Sequence, residues 1–205
     1  VDWEPLVRLT EYDYRAEGGF TKVEEALEFY REVLGLIGEF SAESIAPKAQ
    51  ALNDEHPSKK DGWIHAGPTL EAIFEEMKAL ELHGMCLPRE LGGMNCPFLL
   101  FDLTHEIMSR ADMAVSTHHG FHGGIAMAML LYSIMEKSTT FDREKACITT
   151  TRFSDEIKEI LSGAAWGSMD ITEPSAGSDM AALRSRGELG ADGVWRVTGQ
   201  KIFIT

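Results

Sequence analysis

The spacing of apolar residues changes at about Ala165, and this change constrains the fold more than any other feature of the 205-residue sequence. Before that point, apolar residues recur every three or four positions, which is the period of α-helices buried on one face. After it, apolar and polar residues alternate over 193–199, and 201–205 is rich in β-branched and aromatic residues, as in strands. The pattern predicts an α+β protein, with an all-α helical bundle followed by antiparallel strands. So few strands do not make a stable sheet, so we expect this second region to be truncated.

Five helices are predicted from the apolar spacing. The first begins at Val23, after a capping box in which Thr21 and Glu24 would each satisfy a free backbone N–H, and Pro47 kinks or ends it. The remaining helices are predicted at 69–82, 98–110 and 115–137, with a short one opening at Ser154. Residues 53–68 and 88–97 contain Pro and Gly and are predicted to be loops.

The chain is strongly acidic, and its charge is unevenly distributed. It has 19 Lys and Arg against 33 Asp and Glu, a formal net charge of −14. Residues 1–165 hold 15 bases and 28 acids, whereas residues 166–205 hold 4 bases and 5 acids. Nucleic acids and anionic membrane surfaces attract proteins with an excess of Lys and Arg, so the composition argues against both as partners.

The cysteine pattern and the hydropathy indicate the compartment. Three cysteines form no CxxC pair, so neither a disulfide framework nor a zinc cluster is predicted. No apolar run approaches the roughly 18 residues that a membrane helix needs, and the first residues do not resemble a secretion signal. We expect a protein of the cytoplasm or of an organelle matrix.

Residues 172–179, Thr-Glu-Pro-Ser-Ala-Gly-Ser-Asp, contain the densest set of turn-forming residues in the chain. Pro174 fixes one backbone φ and lacks an N–H, and Gly177 permits an unusual backbone turn. The hydroxyls and free N–H groups suit the edge of a flat heterocycle or a phosphate, but a polar turn with local caps explains the same residues. From the residues alone, both interpretations stay open.

Together with Gly-Gln-Lys-Ile-Phe-Ile-Thr at 199–205, the segment 172–179 resembles two motifs of the acyl-CoA dehydrogenase family. Two upstream patterns extend the resemblance: Leu-x-Gly-Met at 82–85 with Pro-x-Glu-x-Gly-Gly at 88–93, and Arg-Ala-Asp at 110–112. The resemblance implies an N-terminal α-helical domain at 21–165. The stretch 1–20 before it has mixed charge and no clear period, and it is predicted to be an N-terminal arm. The resemblance also implies the start of an antiparallel β-barrel-like middle domain at 166–205, with the family's C-terminal four-helix bundle absent from this chain.

The resemblance further implies FAD as cofactor and acyl-CoA as substrate. Hydroxyls near the flavin ring would favour its reduced, negatively charged form, while the redox chemistry belongs to the cofactor. The cofactor-binding positions implied are Met169, Ile171, Thr172, Gly177, Ser178, Phe203, Ile204 and Thr205, with Ser178 also beside the substrate. The family often has Tyr or Phe where Met169 stands and Trp where Phe203 stands. This chain therefore differs from the family in the side chains that would stack on the flavin ring. The family's catalytic base lies beyond Thr205 or on a nearby helix, so no catalytic residue is assigned to this chain.

The His-His-x-x-His pattern at 118–122 has three interpretations. His118 and His122 have the i, i+4 spacing of a metal pair, but no third ligand is suggested, and no metal site is predicted. The resemblance places this stretch along the acyl pocket, which leads to the hypothesis that Thr117, His118 and His119 make the pocket polar and favour a short or functionalised acyl group. Equally, these histidines could face other helices.

Three charged positions in or near the motif complete the set of candidates. Glu173 is predicted to hold the turn rather than to take part in catalysis. Arg184 and Arg186 fit either a contact with phosphates of CoA or FAD or a solvated strand end.

The leading functional hypothesis is FAD-dependent α,β-dehydrogenation of an acyl-CoA thioester, within fatty acid metabolism. Electrons would pass to an electron-transfer flavoprotein, and a homodimer or homotetramer is expected from the resemblance. An oxygen-using acyl-CoA oxidase or flavin monooxygenase of the same fold is the alternative within the family. A non-catalytic family member that acts as an assembly partner is the alternative from another class.

Overall fold

The computed structural model describes residues 1–204 and contains two compact units, Val1–Trp166 and Gly167–Thr205. The first unit is mainly helical and the second contains a β-hairpin. The helices of the first unit are α1 (Glu4–Thr10), α2 (Val23–Phe40), α3 (Ala49–Asp54), α4 (Pro68–Ala79), α5 (Phe98–Ala111), α6 (Met113–Met135) and α7 (Ser154–Leu161). The predicted fold class, a helical region followed by antiparallel strands, is confirmed, and the strands of residues 1–204 form no closed barrel.

Helix α2 begins where the apolar period predicts, but its capping differs from the prediction. The N–H and hydroxyl of Thr21 both donate to Oε2 of Glu25, at 3.0 and 2.9 Å, so the expected pairing with Glu24 is wrong. A carboxylate one residue further along reaches both donors at once. After α2 the chain continues as a π-helical turn and then a 3₁₀ turn, Ala46–Lys48. Pro47 lies in that 3₁₀ turn, so it bends the helical path, as predicted.

Two short hairpins lie between the helices, in places where the sequence predicts no strand. Strands β1 (Ser58–Lys60) and β2 (Trp63–His65) occupy the predicted loop 53–68. Asp61 and Gly62 join them, both with positive φ, the Asp-Gly signal of a tight hairpin turn. Strands β3 (Thr140–Asp142) and β4 (Cys147–Thr150) form the second hairpin. Strands of three or four residues, most of them exposed, show too little apolar alternation to be recognised from sequence.

Helices α5 and α6 form the centre of the first unit, and the single residue Asp112 joins them. Asp112 has an extended backbone, and its side chain accepts a hydrogen bond from Val115 N–H at 2.9 Å, which caps α6. The core around these helices is fully buried at Ile37, Met77 and Leu100. No helix within residues 1–204 is long and apolar enough to cross a membrane.

The second unit contains strands β5 (Arg186–Leu189) and β6 (Trp195–Thr198), which pair antiparallel. The predicted strand at 193–199 is therefore present, in shorter form. The predicted strand at 201–205 is wrong over 201–204, where the chain has no ladder partner; Thr205 lies outside the described residues. The stretch 166–172 that leads into the turn motif is likewise not a strand.

An ion pair between Glu11 and Arg89 ties the first twenty residues to the rest of the first unit. The Glu11 side chain is fully buried and accepts two hydrogen bonds from the Arg89 guanidinium, at 2.6 and 2.8 Å. The guanidinium also lies 5.2 Å from the ring centroid of Phe20. A buried carboxylate without its partner is very costly, so the arm depends on this contact.

Replacing Arg89 with Met is expected to destabilise the first unit by about 3 kcal/mol or more, because it leaves the Glu11 charge buried and unpaired. Denaturant unfolding measures the loss, and the double variant Glu11→Gln/Arg89→Met is expected to be more stable than Arg89→Met alone. Arg152→Met is the matched control, since Arg152 and Glu136 form an exposed pair worth at most about 1 kcal/mol. Equal losses for Arg89→Met and Arg152→Met would contradict the account.

Candidate functional site

The sequence-predicted site residues lie in two places, one in each unit. Residues 169–178 and 203–204 belong to the second unit, and residues 117–119 lie on helix α6 of the first unit.

In the second unit, the side chain of Glu173 is buried and accepts several hydrogen bonds. The residue is 4 % exposed, and its carboxylate accepts from Arg184 N–H at 2.7 Å and from Ser185 N–H at 2.9 Å. The Lys201 ammonium donates to the same carboxylate at 2.9 Å. Hydrogen bonding from Ser185, from the Arg184 amide and from Lys201 lowers the pKa of Glu173 to about 2. The carboxylate is therefore ionised at neutral pH, and a pKa this low makes it a weak base.

Lys201 and its neighbour connect the two motifs that are separated in the sequence. The Lys201 ammonium also donates to the carbonyl of Ile171 at 2.9 Å. The next residue, Ile202, donates its N–H to the carbonyl of Thr172 at 2.9 Å. The structure thus brings the segment 171–173 of the first motif beside the segment 201–202 of the second.

Apolar side chains near this junction are exposed, as are those of the β5–β6 hairpin, such as Val197 at 80 %. Phe203 is 86 % exposed, and Met169 and Ile204 are 45 % and 44 % exposed. Within residues 1–204, the hydroxyls of Thr172 and Ser178 make no hydrogen bond to another protein group. Apolar side chains and free hydroxyls in one small unit are suited to a flat, partly polar ring.

Gly177 is predicted to permit an unusual backbone turn, but it does not adopt a positive φ. The turn therefore does not need glycine for its conformation. A Cβ added at Gly177 would meet no atom within 4 Å, so the space beside its backbone is open. Thr205, the last of the predicted cofactor-binding residues, lies outside the described residues.

In the first unit, an apolar cavity of about 380 Å³ lies between α5, α6 and the segment 83–87. Its walls are formed by His83, Met85, Cys86, Leu87, Phe98, Phe101, His119, Gly120, Gly123, Gly124, Met127, Ala128 and Leu131. Three glycines of α6 line this space. A Cβ at Gly124 would meet nothing within 4 Å, whereas one at Gly120 would come within 2.5 Å of the His105 ring.

His119 lines this cavity, but both of its ring nitrogens are already bonded within the protein. Its Nε2 lies 2.8 Å from the carbonyl of Leu82, which can only accept, so the proton of the neutral ring is assigned to Nε2. Its Nδ1 therefore accepts from Nε2 of His105, at 3.3 Å. Nδ1 of His105 in turn lies 3.4 Å from the Ser116 hydroxyl. Burial lowers the pKa of His119 to about 4, so this chain of groups is neutral at pH 7.

Thr117 and His118 do not line the cavity. The Thr117 hydroxyl donates to the carbonyl of Met113 in its own helix at 2.8 Å. His118 packs edge-on against Phe74 and Trp166, with ring centroids 5.3 and 5.9 Å apart. Their role toward a substrate remains a prediction from the sequence.

His122 is fully buried, and within residues 1–204 neither of its ring nitrogens has a partner. It packs against Trp166 and His83, with ring centroids 3.5 and 4.7 Å away. Burial, with smaller contributions from neighbouring histidines, lowers its pKa to about 3. No group of three or more His, Cys, Asp or Glu in the described part of the chain is placed to hold a metal ion.

Sequence reasoning missed His83, His105 and the glycine face of α6. The two histidines join the cluster only through tertiary packing, so no local pattern marks them. The glycines at 120, 123 and 124 stand at i, i+3 and i+4, which does signal one small-residue face on a helix.

A sequence model of the family described as "Acyl-CoA dehydrogenase, N-terminal domain" matches residues 28–136. The chain is 25 % identical to the mitochondrial isovaleryl-CoA dehydrogenase of Arabidopsis thaliana, over 82 % of this chain and 36 % of that protein. It is 26 % identical to the 3-methylmercaptopropionyl-CoA dehydrogenase of Ruegeria pomeroyi, over 88 % of this chain and 30 % of that protein. The chain thus spans about a third of the length of these curated relatives.

Two solved structures have a similar fold. A Bacillus anthracis acyl-CoA dehydrogenase complexed with FAD matches with a TM-score of 0.62 at 19 % identity, over 85 % of this chain and 26 % of that chain. A chain of the electron transferring flavoprotein structure from Acidaminococcus fermentans matches with a TM-score of 0.61 at 21 % identity, over 85 % of this chain and 39 % of that chain.

The buried neutral histidines predict a loss of stability in mild acid. The pKa of His119 falls from 6.5 to about 4 on folding, so between these pH values the unfolded chain binds a proton that the folded chain does not. Stability is therefore full above pH 6.5 and falls by on the order of 3 kcal/mol as the pH drops through 4. His122 acts in the same direction.

Denaturant unfolding of the wild type and of His119→Gln at several pH values measures this effect. The variant is expected to show a shallower pH dependence, because it lacks one of the titrating groups. The exposed His56, replaced in His56→Gln, is the control and should leave the slope unchanged. An identical slope for His119→Gln and the wild type would contradict the prediction.

Proposed function

This chain belongs to the acyl-CoA dehydrogenase family, and from that premise we propose that it is part of a FAD-dependent enzyme that dehydrogenates an acyl-CoA thioester between its α and β carbons. The observation that carries the proposal is the junction of the two motifs, where Lys201 and Ile202 bond to 171–173. We further propose that residues 21–165 act as the N-terminal α-domain and 166–205 as the start of the middle β-domain.

The residues at the junction fit a flavin. The free hydroxyls of Thr172 and Ser178 supply donors for its polar edge, and the open space over Gly177 allows close approach of a ring. Phe203 and Met169 offer exposed apolar surface that a ring would cover. Bound FAD would supply the hydride acceptor.

Around that ring, the proposed tasks of this chain are binding and orientation. The backbone of Ile171 and the Thr172 hydroxyl would hold the polar edge, Met169, Phe203 and Ile204 would exclude water, and Ser178 would lie beside the thioester. Glu173 is bonded on both oxygens and serves no proton transfer. We assign no catalytic base to this chain, in keeping with the expectation that the base lies elsewhere in the protein.

For the substrate, we propose an aliphatic acyl group whose tail occupies the cavity of the first unit. Its nearly uniform apolar lining supports this choice, because an apolar tail gains free energy by leaving water there. The hypothesis of a short or functionalised acyl group selected by Thr117, His118 and His119 stays a prediction. The internal hydrogen bonds of Thr117 and His119 weigh against it.

Electron-transfer flavoprotein is proposed as the electron acceptor, a homodimer or homotetramer as the assembly, and the cytoplasm or an organelle matrix as the location. Oxygen-using relatives and a non-catalytic assembly partner are the alternatives.

Anaerobic addition of an acyl-CoA to the full-length flavoprotein is expected to bleach the visible flavin absorbance. The reduced enzyme should be reoxidised faster by an electron-transfer flavoprotein than by air. Rapid reoxidation by air would favour an oxidase instead. A flavin that no acyl-CoA bleaches would contradict the proposed activity and favour a non-catalytic role.

Gly124→Leu is expected to shorten the acyl group that the full-length enzyme accepts, because the new side chain fills the cavity. We predict that kcat/KM for a long-chain acyl-CoA falls by about tenfold or more, with a smaller change for a short-chain acyl-CoA. Gly35→Leu on α2, whose added Cβ also meets no neighbour, controls for replacing a helical glycine. An unchanged ratio of long-chain to short-chain turnover in Gly124→Leu would contradict the placement of the tail.

A further inference from the structure

The Glu173 side chain does more than hold its own turn. The turn is closed by backbone groups: Glu173 N–H donates to the carbonyl of Ala176 at 3.0 Å, and Ala176 N–H donates back at 3.1 Å. These two bonds leave the Glu173 carboxylate free. It instead receives donors from residues 11, 12 and 28 positions further along the chain.

Those donors come from both flanks of the β5–β6 hairpin. Arg184 and Ser185 immediately precede β5, and Lys201 follows β6. The two flanks lie so close that a side chain at Gly199 would clash with the Ser185 side chain. The carboxylate therefore bonds to both flanks of the hairpin and holds them together.

Burial limits the groups that can contact this carboxylate. Glu173 is 4 % exposed, and a buried carboxylate requires donors and a positive partner. Lys201, whose side chain is 24 % exposed, supplies the positive charge and at the same time donates to the Ile171 carbonyl. One ammonium thus fixes the backbone of the first motif and the carboxylate that follows it. The next residue, Ile202, pairs with Thr172, so Lys201 sets the register of the whole junction.

We propose that Glu173 and Lys201 are positioning residues for the flavin: their ion pair holds 171–173 against 201–204 and so fixes the hydroxyl and apolar groups that would contact the ring. This inference rests on the proposed function for the identity of the ligand. The pair itself touches no reacting atom. Its effect is exerted through Ile171, Thr172 and Phe203.

The test uses the full-length protein with Lys201→Met, the charge-conserving Lys201→Arg, Glu173→Gln and the double variant Glu173→Gln/Lys201→Met. Arg196→Met is the matched control, because Arg196 pairs with Asp192 in an exposed ion pair of the same unit. Amide hydrogen exchange at Ile202 in the flavin-free protein reports the junction itself. The dissociation constant for FAD and the visible flavin spectrum report its effect on the ligand.

For Lys201→Met we expect faster exchange at Ile202 and FAD affinity weaker by at least about tenfold, with an altered flavin spectrum. Lys201→Arg should restore affinity to within about threefold of wild type, because a guanidinium can donate to both acceptors. The double variant should lose no more affinity than Lys201→Met, because the two residues act as one unit. Arg196→Met should leave the exchange, the affinity and the spectrum unchanged.

The outcomes separate this inference from the proposed function. Faster exchange in Lys201→Met with unchanged FAD affinity and spectrum overturns the positioning role. Unchanged amide exchange at Ile202 in Lys201→Met overturns the claim that Lys201 holds the junction together. Additive losses of FAD affinity in the double variant overturn the claim that Glu173 and Lys201 act as a pair. If Lys201→Met fails to fold, the loss of affinity in Glu173→Gln and the rescue by Lys201→Arg decide the question. A wild-type protein that binds no FAD overturns the proposed function, and with it the positioning role, whatever the exchange data show.

Discussion

A carboxylate removed from water must be given donors, and in the second unit that requirement organises everything around Glu173. Its oxygens receive two backbone N–H groups and the Lys201 ammonium. Meeting this requirement draws together parts of the chain on both sides of a hairpin. The backbones of the two motifs then meet at 171–173 and 201–202. The ion pair holds these parts of the chain in place, and the low pKa of the Glu173 carboxylate makes it a poor base for proton transfer.

The first unit pairs its buried Glu11 carboxylate with Arg89, but around helix α6 it buries polar groups that are neutral. His119 and His105 pass hydrogen bonds from the Ser116 hydroxyl to the Leu82 carbonyl, so polar rings are buried without charge. The cost of that burial appears as pKa values well below the ordinary range. Beside these rings, the glycines of α6 line an apolar space. Because both ring nitrogens of His119 are bonded within the protein, this residue adds little polar surface to the cavity, which suits an aliphatic chain.

Much of this structure could be predicted from the sequence, and the exceptions have physical reasons. Helix α2 is predictable from the period of its apolar face and α6 from its length and high apolar content, whereas the hairpins at 58–65 and 140–150 are too short and too exposed to be recognised. The turn motif could be recognised, but the partner of Glu173 could not, because 28 residues separate it from Lys201. The histidine pattern at 118–122 was visible, yet only packing shows which ring nitrogens are already bonded.

An experimental structure of the full-length protein with FAD bound tests the central claim most directly. The account predicts that the flavin ring contacts Thr172 and the side chains of 203–204, with Lys201 still bonded to Glu173 and Ile171 beneath it. A flavin bound elsewhere, or a junction in which 171–173 and 201–202 have separated, would contradict the account.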